Sequence, residues 1–226
     1  MIPQEIRIAA DHVGLRGSLA LPEAPRGLVL LAQVDGVHPG DRHERAARFH
    51  AQLGFATLRA SLVSFQDMPG VAEHVALLTT RLLAWLAWVS QDAWLNVLPC
   101  GILATGASVP AALRASAQRD VQVKALVCCG GLPDLAGAFY LKALACPTLF
   151  LFAAADAPGL AAGARALAHS AAVACLNSIP AADREFKQAR ACDTVAQQSG
   201  AWLLRHLPSA PPQGIAESLP PGGDRA

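Results

Sequence analysis

Ser108 is the residue whose type and setting most directly suggest chemistry in this chain. It lies in Cys100-Gly101-Ile102-Leu103-Ala104-Thr105-Gly106-Ala107-Ser108-Val109-Pro110-Ala111-Ala112-Leu113. The apolar run 102–104 has the length of a buried strand, Gly106 interrupts it, and an alanine-rich helical segment follows at once. That order predicts a strand, a tight turn centred on Ser108 and a helix. Such a turn lifts a hydroxyl above the sheet edge, where the N–H groups opening the helix can stabilise an oxyanion. Val109 would supply the main oxyanion N–H. Gly106 and Ala107 are small enough for strand and helix to pass closely. Pro110 stands where a second glycine would be expected; proline fits a first helical turn, because its missing N–H would have no partner there. An ordinary strand-to-helix turn carrying a small polar residue has the same pattern.

The elements that must position this turn can be read from hydrophobic pattern. Residues 5–10 and 12–21 alternate like an edge hairpin. Residues 28–34 form a nearly continuous apolar run, broken only by Gln33, as in a buried parallel strand. A polar loop, Asp35-Gly36-Val37-His38-Pro39-Gly40-Asp41, leads to a helix over 42–53 with Ala46, Phe49, His50 and Leu53 on one face. Gly54 ends that helix and 55–61 is the next strand. After a loop at 62–70, helical spacing of Val75, Leu78, Leu82, Trp85, Leu86 and Val89 predicts a long helix over 71–89. Strands follow at 124–129, 148–154 and 173–179, with helices at 159–169 and 188–206. Strands alternating with helices from residue 28 onward predict a mostly parallel sheet covered on both faces, an α/β domain over 1–207. Residues 208–226 are rich in Pro, Gly and Ser, and read as a flexible tail.

Composition bounds the rest. A chain of 226 residues can bury one substantial core. Apolar residues make up 53% and charged ones 15%, but the excess is largely alanine, and the strongest run, 82–89, is too short to span a bilayer. The N-terminal residues lack the basic-then-apolar order of a signal peptide. A net charge of +1 without a basic cluster argues against a nucleic-acid partner. Six cysteines show no zinc spacing and fall mostly in predicted strands, so a reducing, cytoplasmic setting is expected. No G-x-G-x-x-G opens a helix after the first parallel strand, and no metal or cofactor set is visible.

Several segments, taken in order, resemble the dienelactone-hydrolase-like group of α/β-hydrolases over roughly residues 25–207. They are Gly54-Phe55-Ala56-Thr57-Leu58, Gly106-Ala107-Ser108, Gly130-Gly131-Leu132-Pro133-Asp134-Leu135-Ala136, Cys146-Pro147-Thr148-Leu149 with Asp156, Ile179-Pro180-Ala181-Ala182 with Phe186, and Trp202-Leu203-Leu204-Arg205-His206-Leu207. The resemblance implies the α/β-hydrolase fold with an N-terminal antiparallel hairpin, and hydrolysis of a carboxylic ester or lactone. It implies Ser108 as nucleophile and Asp156 as the acid, with Asp134 a weaker substitute that could equally cap a short helix from Leu135. The family's histidine falls on Arg184, and arginine stays protonated and cannot accept the serine proton. Arg184 could instead pair with Asp156. His169 and His206 read as surface or packing residues; His38, whose loop follows the 28–34 strand and should lie on the same sheet edge as Ser108, is the best substitute base. The second oxyanion donor falls on the Gln33–Val34 stretch, beside Asp35, where bulk and a carboxylate replace glycine.

Two readings follow from the sequence. In one, the protein is a serine hydrolase with an unusual base and weak turnover. In the other, it is a non-catalytic relative that binds a small ester- or lactone-like molecule or a protein partner.

Overall fold

The computed structural model describes residues 2–35 and 42–210. Eight strands form one sheet in the order β1-β2-β4-β3-β5-β6-β7-β8. The hairpin is β1 (Gln4–Ala10) and β2 (Val13–Ala20), antiparallel and placed at the edge as the alternation predicts. Its two-residue turn has Asp11 at φ 51° and His12 at φ 63°, the left-handed pair that matches strand twist in tight hairpins. β2 runs antiparallel to β4 (Ala56–Ser61). Beyond it, β3 (Leu28–Gln33), β5 (Cys100–Thr105), β6 (Val123–Cys129), β7 (Thr148–Ala153) and β8 (Ala174–Ile179) are all parallel.

Two apolar layers sandwich the sheet. On one face, Leu78, Leu82 and Trp85 of α2 (Val75–Gln91), the buried face of α3 (Val109–Ser116), Leu141 of α4 (Ala138–Ala143) and Ala166 of α5 (Ala157–His169) pack over the strands. On the other lie α1 (Arg42–Gln52) and α6 (Ala189–His206), through Ala47, Ala191, Val195 and Leu203. Trp85 is fully buried and donates its indole N–H to the Ser61 carbonyl at 2.9 Å. It fits because β2 offers Gly17, where a Cβ would stand 2.6 Å from the ring.

Some boundaries differ from the sequence reading. The helix expected over 71–89 starts at Val75, after a single 3-10 turn at Val71–Glu73. The most buried residues of α1 are His43, Ala47 and His50; of the expected face, His50 is among them and Ala46 and Leu53 are partly buried against the core. The loop before α2 is braced by Arg81, whose buried guanidinium grips both carboxylate oxygens of Asp67 at 2.6 Å and donates to the Leu62 carbonyl at 3.0 Å. The chain remains docked past residue 207: Ala210 N–H donates to the Arg26 carbonyl at 2.7 Å, and Arg26 donates to Ser209 Oγ. The remainder of the expected tail, 211–226, lies outside the described residues. No described helix is long and apolar enough to cross a membrane.

Candidate active site

The C-terminal ends of the parallel strands carry the loops where α/β sheets bind ligands. There a cavity of about 650 Å³ opens. Its walls are the start of α1, residues 72–75, the end of β5 and its turn, the loop after β6, residues 184–186, and the first two turns of α6.

The turn after β5 decides what chemistry is available. β5 stays in register with β6 up to the pair Thr105–Cys129, so the strand ends at Thr105. The next residue, Gly106, has φ 56° and is the one left-handed residue between strand and helix. Gly106 therefore occupies the crest of the turn, and a Cβ built on it would meet no atom within 4 Å. Ser108 does not stand at the crest. It is fully buried, two residues further on, and is not among the described residues lining the cavity. Its Oγ accepts the Thr105 N–H at 3.0 Å and has the Ala32 and Thr105 carbonyls in donor range at 2.8 and 2.9 Å. The expected nucleophile is thus a hydroxyl stitching the turn to β3. The correction carries to the oxyanion donor: Val109, the first residue of α3, is buried away from the cavity, whereas Ala107, the residue after the crest, lines it.

The other oxyanion candidates are also displaced. Gln33 is the last residue of β3, fully buried, with its carbonyl accepting from Leu62 N–H at 2.8 Å. Neither Gln33 nor Val34 is among the described residues lining the cavity. Asp35 is drawn to Arg42 at 3.0 Å. His38 lies outside the described residues. His169 ends α5 on the surface, and His206 packs its ring 4.1 Å from that of Trp202. Asp134 is paired with Arg165, at 2.8 Å to Nε, and the short turn it sits in is preceded by Leu132 rather than capped by Asp134.

Asp156 and Arg184 do come together. Asp156 follows β7, is 5% exposed, and caps α5 by accepting the Gly159 N–H at 3.2 Å. Arg184 approaches it through Nε, 3.6 Å from Oδ1. The loop holding Arg184 is tightly built: Asp183 Oδ1 accepts the N–H groups of Glu185 and Lys187, both at 3.0 Å. Phe186 is buried with φ 54°, a strained conformation for a non-glycine residue that the packing around it maintains. Gly130 lets this loop close in, since a Cβ there would stand 3.4 Å from the Arg184 carbonyl; Gly131 touches the Gly106 carbonyl and leaves no room for a side chain.

Three residues that the sequence reading did not single out matter here. His43, 2% exposed, lies in the cavity wall with Nε2 2.9 Å from Thr105 Oγ1. The sequence signal was its place at the start of the helix that follows a strand pointing into the site. Cys129 and Cys192 also line the cavity, but burial pushes the Cys129 thiol up to about 12 and raises that of Cys192, whose Sγ donates to the Phe186 carbonyl. Thiols so protonated are poor nucleophiles. All six cysteines are free, and no described group of three or more His, Cys, Asp or Glu residues is placed to hold a metal.

Comparison with known proteins gives the frame for this site. No protein-family model matches the chain. The solved dienelactone hydrolase from Anabaena variabilis superimposes with a TM-score of 0.84 and 28% identity, covering 92% of this chain and all of that one. Est1E from Butyrivibrio proteoclasticus superimposes with a TM-score of 0.74 at 14% identity, covering 89% of this chain and 98% of that one, a likeness of fold alone. A protein from two strains of Mycobacterium tuberculosis, bearing the name "Putative phosphoribosyl transferase", is 31% identical over 217 residues. That match takes in 93% of this chain and 48% of the relative, so the chain spans about half the length of the curated relatives it matches.

Proposed function

We propose that this chain, which has the α/β-hydrolase fold and resembles dienelactone hydrolases, uses its cavity to bind a small organic molecule without hydrolysing it. The observation that carries this reading is Gly106 at the crest of the turn, where a nucleophilic side chain would have to stand. Acyl transfer in this fold needs a nucleophile at that crest, an imidazole beside it and a carboxylate steering the imidazole. Among the described residues the carboxylate, Asp156, has a counterpart, its partner is the permanent cation Arg184, and Gly106 leaves the crest without a side chain. Losing single members of such a set already costs several orders of magnitude in rate, and the losses are not additive.

The transfer activity in the name of the mycobacterial relative belongs to a protein about twice this length. Because a hydrolase structure accounts for nearly the whole of this chain, we assign that transfer to the half that this chain does not match.

The test uses a fluorophosphonate probe and short-chain nitrophenyl esters. Wild-type protein is expected to show no labelling and no turnover above buffer. The double variant Gly106→Ser with Arg184→His is expected to gain turnover of about 10- to 1000-fold over background, while either single change remains at background, because a serine without a base is inert. Wild-type turnover would overturn the reading. One observation favours a second reading: the Thr105 hydroxyl and the His43 imidazole are hydrogen-bonded within the cavity wall. Turnover in the wild type that disappears in Thr105→Val, and not in Ser108→Ala, would assign residual acyl transfer to that pair.

A further inference from the structure

We infer that the molecule held is an organic carboxylate, its CO₂⁻ group seated over Gly106 against Arg184 and its hydrocarbon body against the apolar wall. This rests on the non-hydrolytic reading above and names the ligand class for the same cavity.

Two arginines line the cavity, and they are in different situations. Arg42 is committed: Nη1 donates to the Glu185 carbonyl at 2.6 Å and Nη2 to Asp35 at 3.0 Å. Arg184 is approached by Asp156 only on its Nε edge, at 3.6 Å, and its side chain is 59% exposed. Its acid partner is buried behind it rather than in the cavity wall, so Asp156 steers a guanidinium as a triad acid would steer an imidazole. The far edge of that guanidinium carries two parallel N–H donors, the geometry that matches a carboxylate. The cavity's own carboxylates do not compete for it. Glu185 is paired with Lys187, which holds its carboxyl below the usual range, and Glu73 is solvent-exposed. The lining thiols are kept protonated by burial.

Shape gives the second half. A hydrolase with a serine at the crest would fill the space above it with the hydroxymethyl group. Gly106 leaves that space open. The positive end of α3 faces the same turn, which favours an anion there over a neutral group. Gly131 packs against the Gly106 carbonyl and Gly130 against the backbone carbonyl of Arg184, so the crest and the loop that carries Arg184 are joined through two consecutive glycines, and both Gly106 and Arg184 line the one cavity. Around them, Ala46, Val75, Leu103, Leu132, Leu135 and Phe186 form an apolar wall suited to an aromatic or short aliphatic body.

Calorimetric titration of the full chain with phenylacetate, hexanoate and methyl phenylacetate tests this, with chromatography of each mixture to detect ester cleavage. Either acid is expected to bind saturably, and phenylacetate at least about tenfold more tightly than its methyl ester, the difference that a charge-assisted bidentate contact makes. Arg184→Gln should lose about tenfold or more in affinity for the acid and little for the ester, and Arg184→Lys should recover part of the loss. Asp156→Asn should weaken acid binding less than Arg184→Gln does. Equal affinity for acid and ester, unchanged acid binding in a folded Arg184→Gln variant, or no saturable binding of either acid at millimolar concentration would overturn the inference. Cleavage of methyl phenylacetate by the wild type would instead overturn the non-hydrolytic reading, whichever molecule bound more tightly.

Discussion

A two-residue shift along the turn after β5 separates a nucleophile from a structural hydroxyl. Ser108 matches the spacing of a G-x-S motif, yet the residue that a strand-to-helix turn exposes is set by where the strand stops. That point depends on pairing with β6 at Thr105–Cys129, which local sequence does not encode. The available hint was Pro110, standing where the motif would have glycine; in the structure it is simply the second residue of α3. Ser108 matters through what it bonds. In Ser108→Ala, the part-buried Thr105 N–H loses its acceptor and the interior Ala32 carbonyl loses a donor. Leaving such groups unpaired costs roughly 1–3 kcal/mol. Urea denaturation of Ser108→Ala should show that loss, with ester turnover remaining at the wild-type background. A variant as stable as the wild type would mean that the hydroxyl is dispensable to the turn. The Asp156–Arg184 pairing, by contrast, was legible once the family resemblance put Arg184 at the histidine's place, since an arginine there has the acid Asp156 as its partner.

At the scale of elements, most strands and helices were legible to within about two residues, the start of α2 being four residues late, because apolar runs and their periods reflect the two-sided burial that the sheet imposes. The loops at the sheet's C-terminal edge were less so, since their shape comes from contacts between segments far apart in sequence. Gly130 and Gly131 illustrate this. The sequence offers only a glycine pair after a strand; the structure shows φ 66° and 73°, with Gly131 pressed against the crest of the β5 turn and Gly130 against the Arg184 loop. Gly131→Ala must therefore both adopt a left-handed conformation and push against the Gly106 carbonyl. Strain and overpacking together should cost about 2–4 kcal/mol. Gly70, left-handed at φ 89° and ψ −6° with nothing within 4 Å of a Cβ, is the control: Gly70→Ala should cost only the backbone strain, about 1 kcal/mol. Chemical denaturation of the two variants checks the difference, and equal losses would show that contact with the β5 turn is not what restricts residue 131.

At the scale of the whole molecule, the two faces of the sheet are held in different ways. The α2–α5 side is closed by a broad apolar layer, whereas α1 and α6 on the other side also share a buried polar joint. His50 of α1 is fully buried, with Nδ1 2.7 Å from the Ala46 carbonyl and Nε2 3.1 Å from Ser199 Oγ of α6. A neutral ring with its proton on Nδ1 donates to the Ala46 carbonyl and leaves Nε2 to accept from the Ser199 hydroxyl, whose single proton also has the Ala196 carbonyl within reach at 3.0 Å. Burial lowers its pKa from the ordinary 6.5 to about 4. Between those values the unfolded chain takes up a proton at this position and the folded chain does not, so stability rises with pH across that window. The contribution is fully present above about pH 6.5 and is lost as pH falls toward 4, an effect of roughly 3 kcal/mol. Denaturation midpoints measured from pH 7 to pH 4 should fall accordingly. Because α1 and α6 join only through folded tertiary structure, the loss belongs to global unfolding and should appear equally by circular dichroism and by tryptophan fluorescence. His50→Gln should be less stable at pH 7, yet its midpoint should depend less on pH in this range, since no proton is taken up at residue 50. An undiminished acid slope in that variant would move the effect from this joint to other titrating groups.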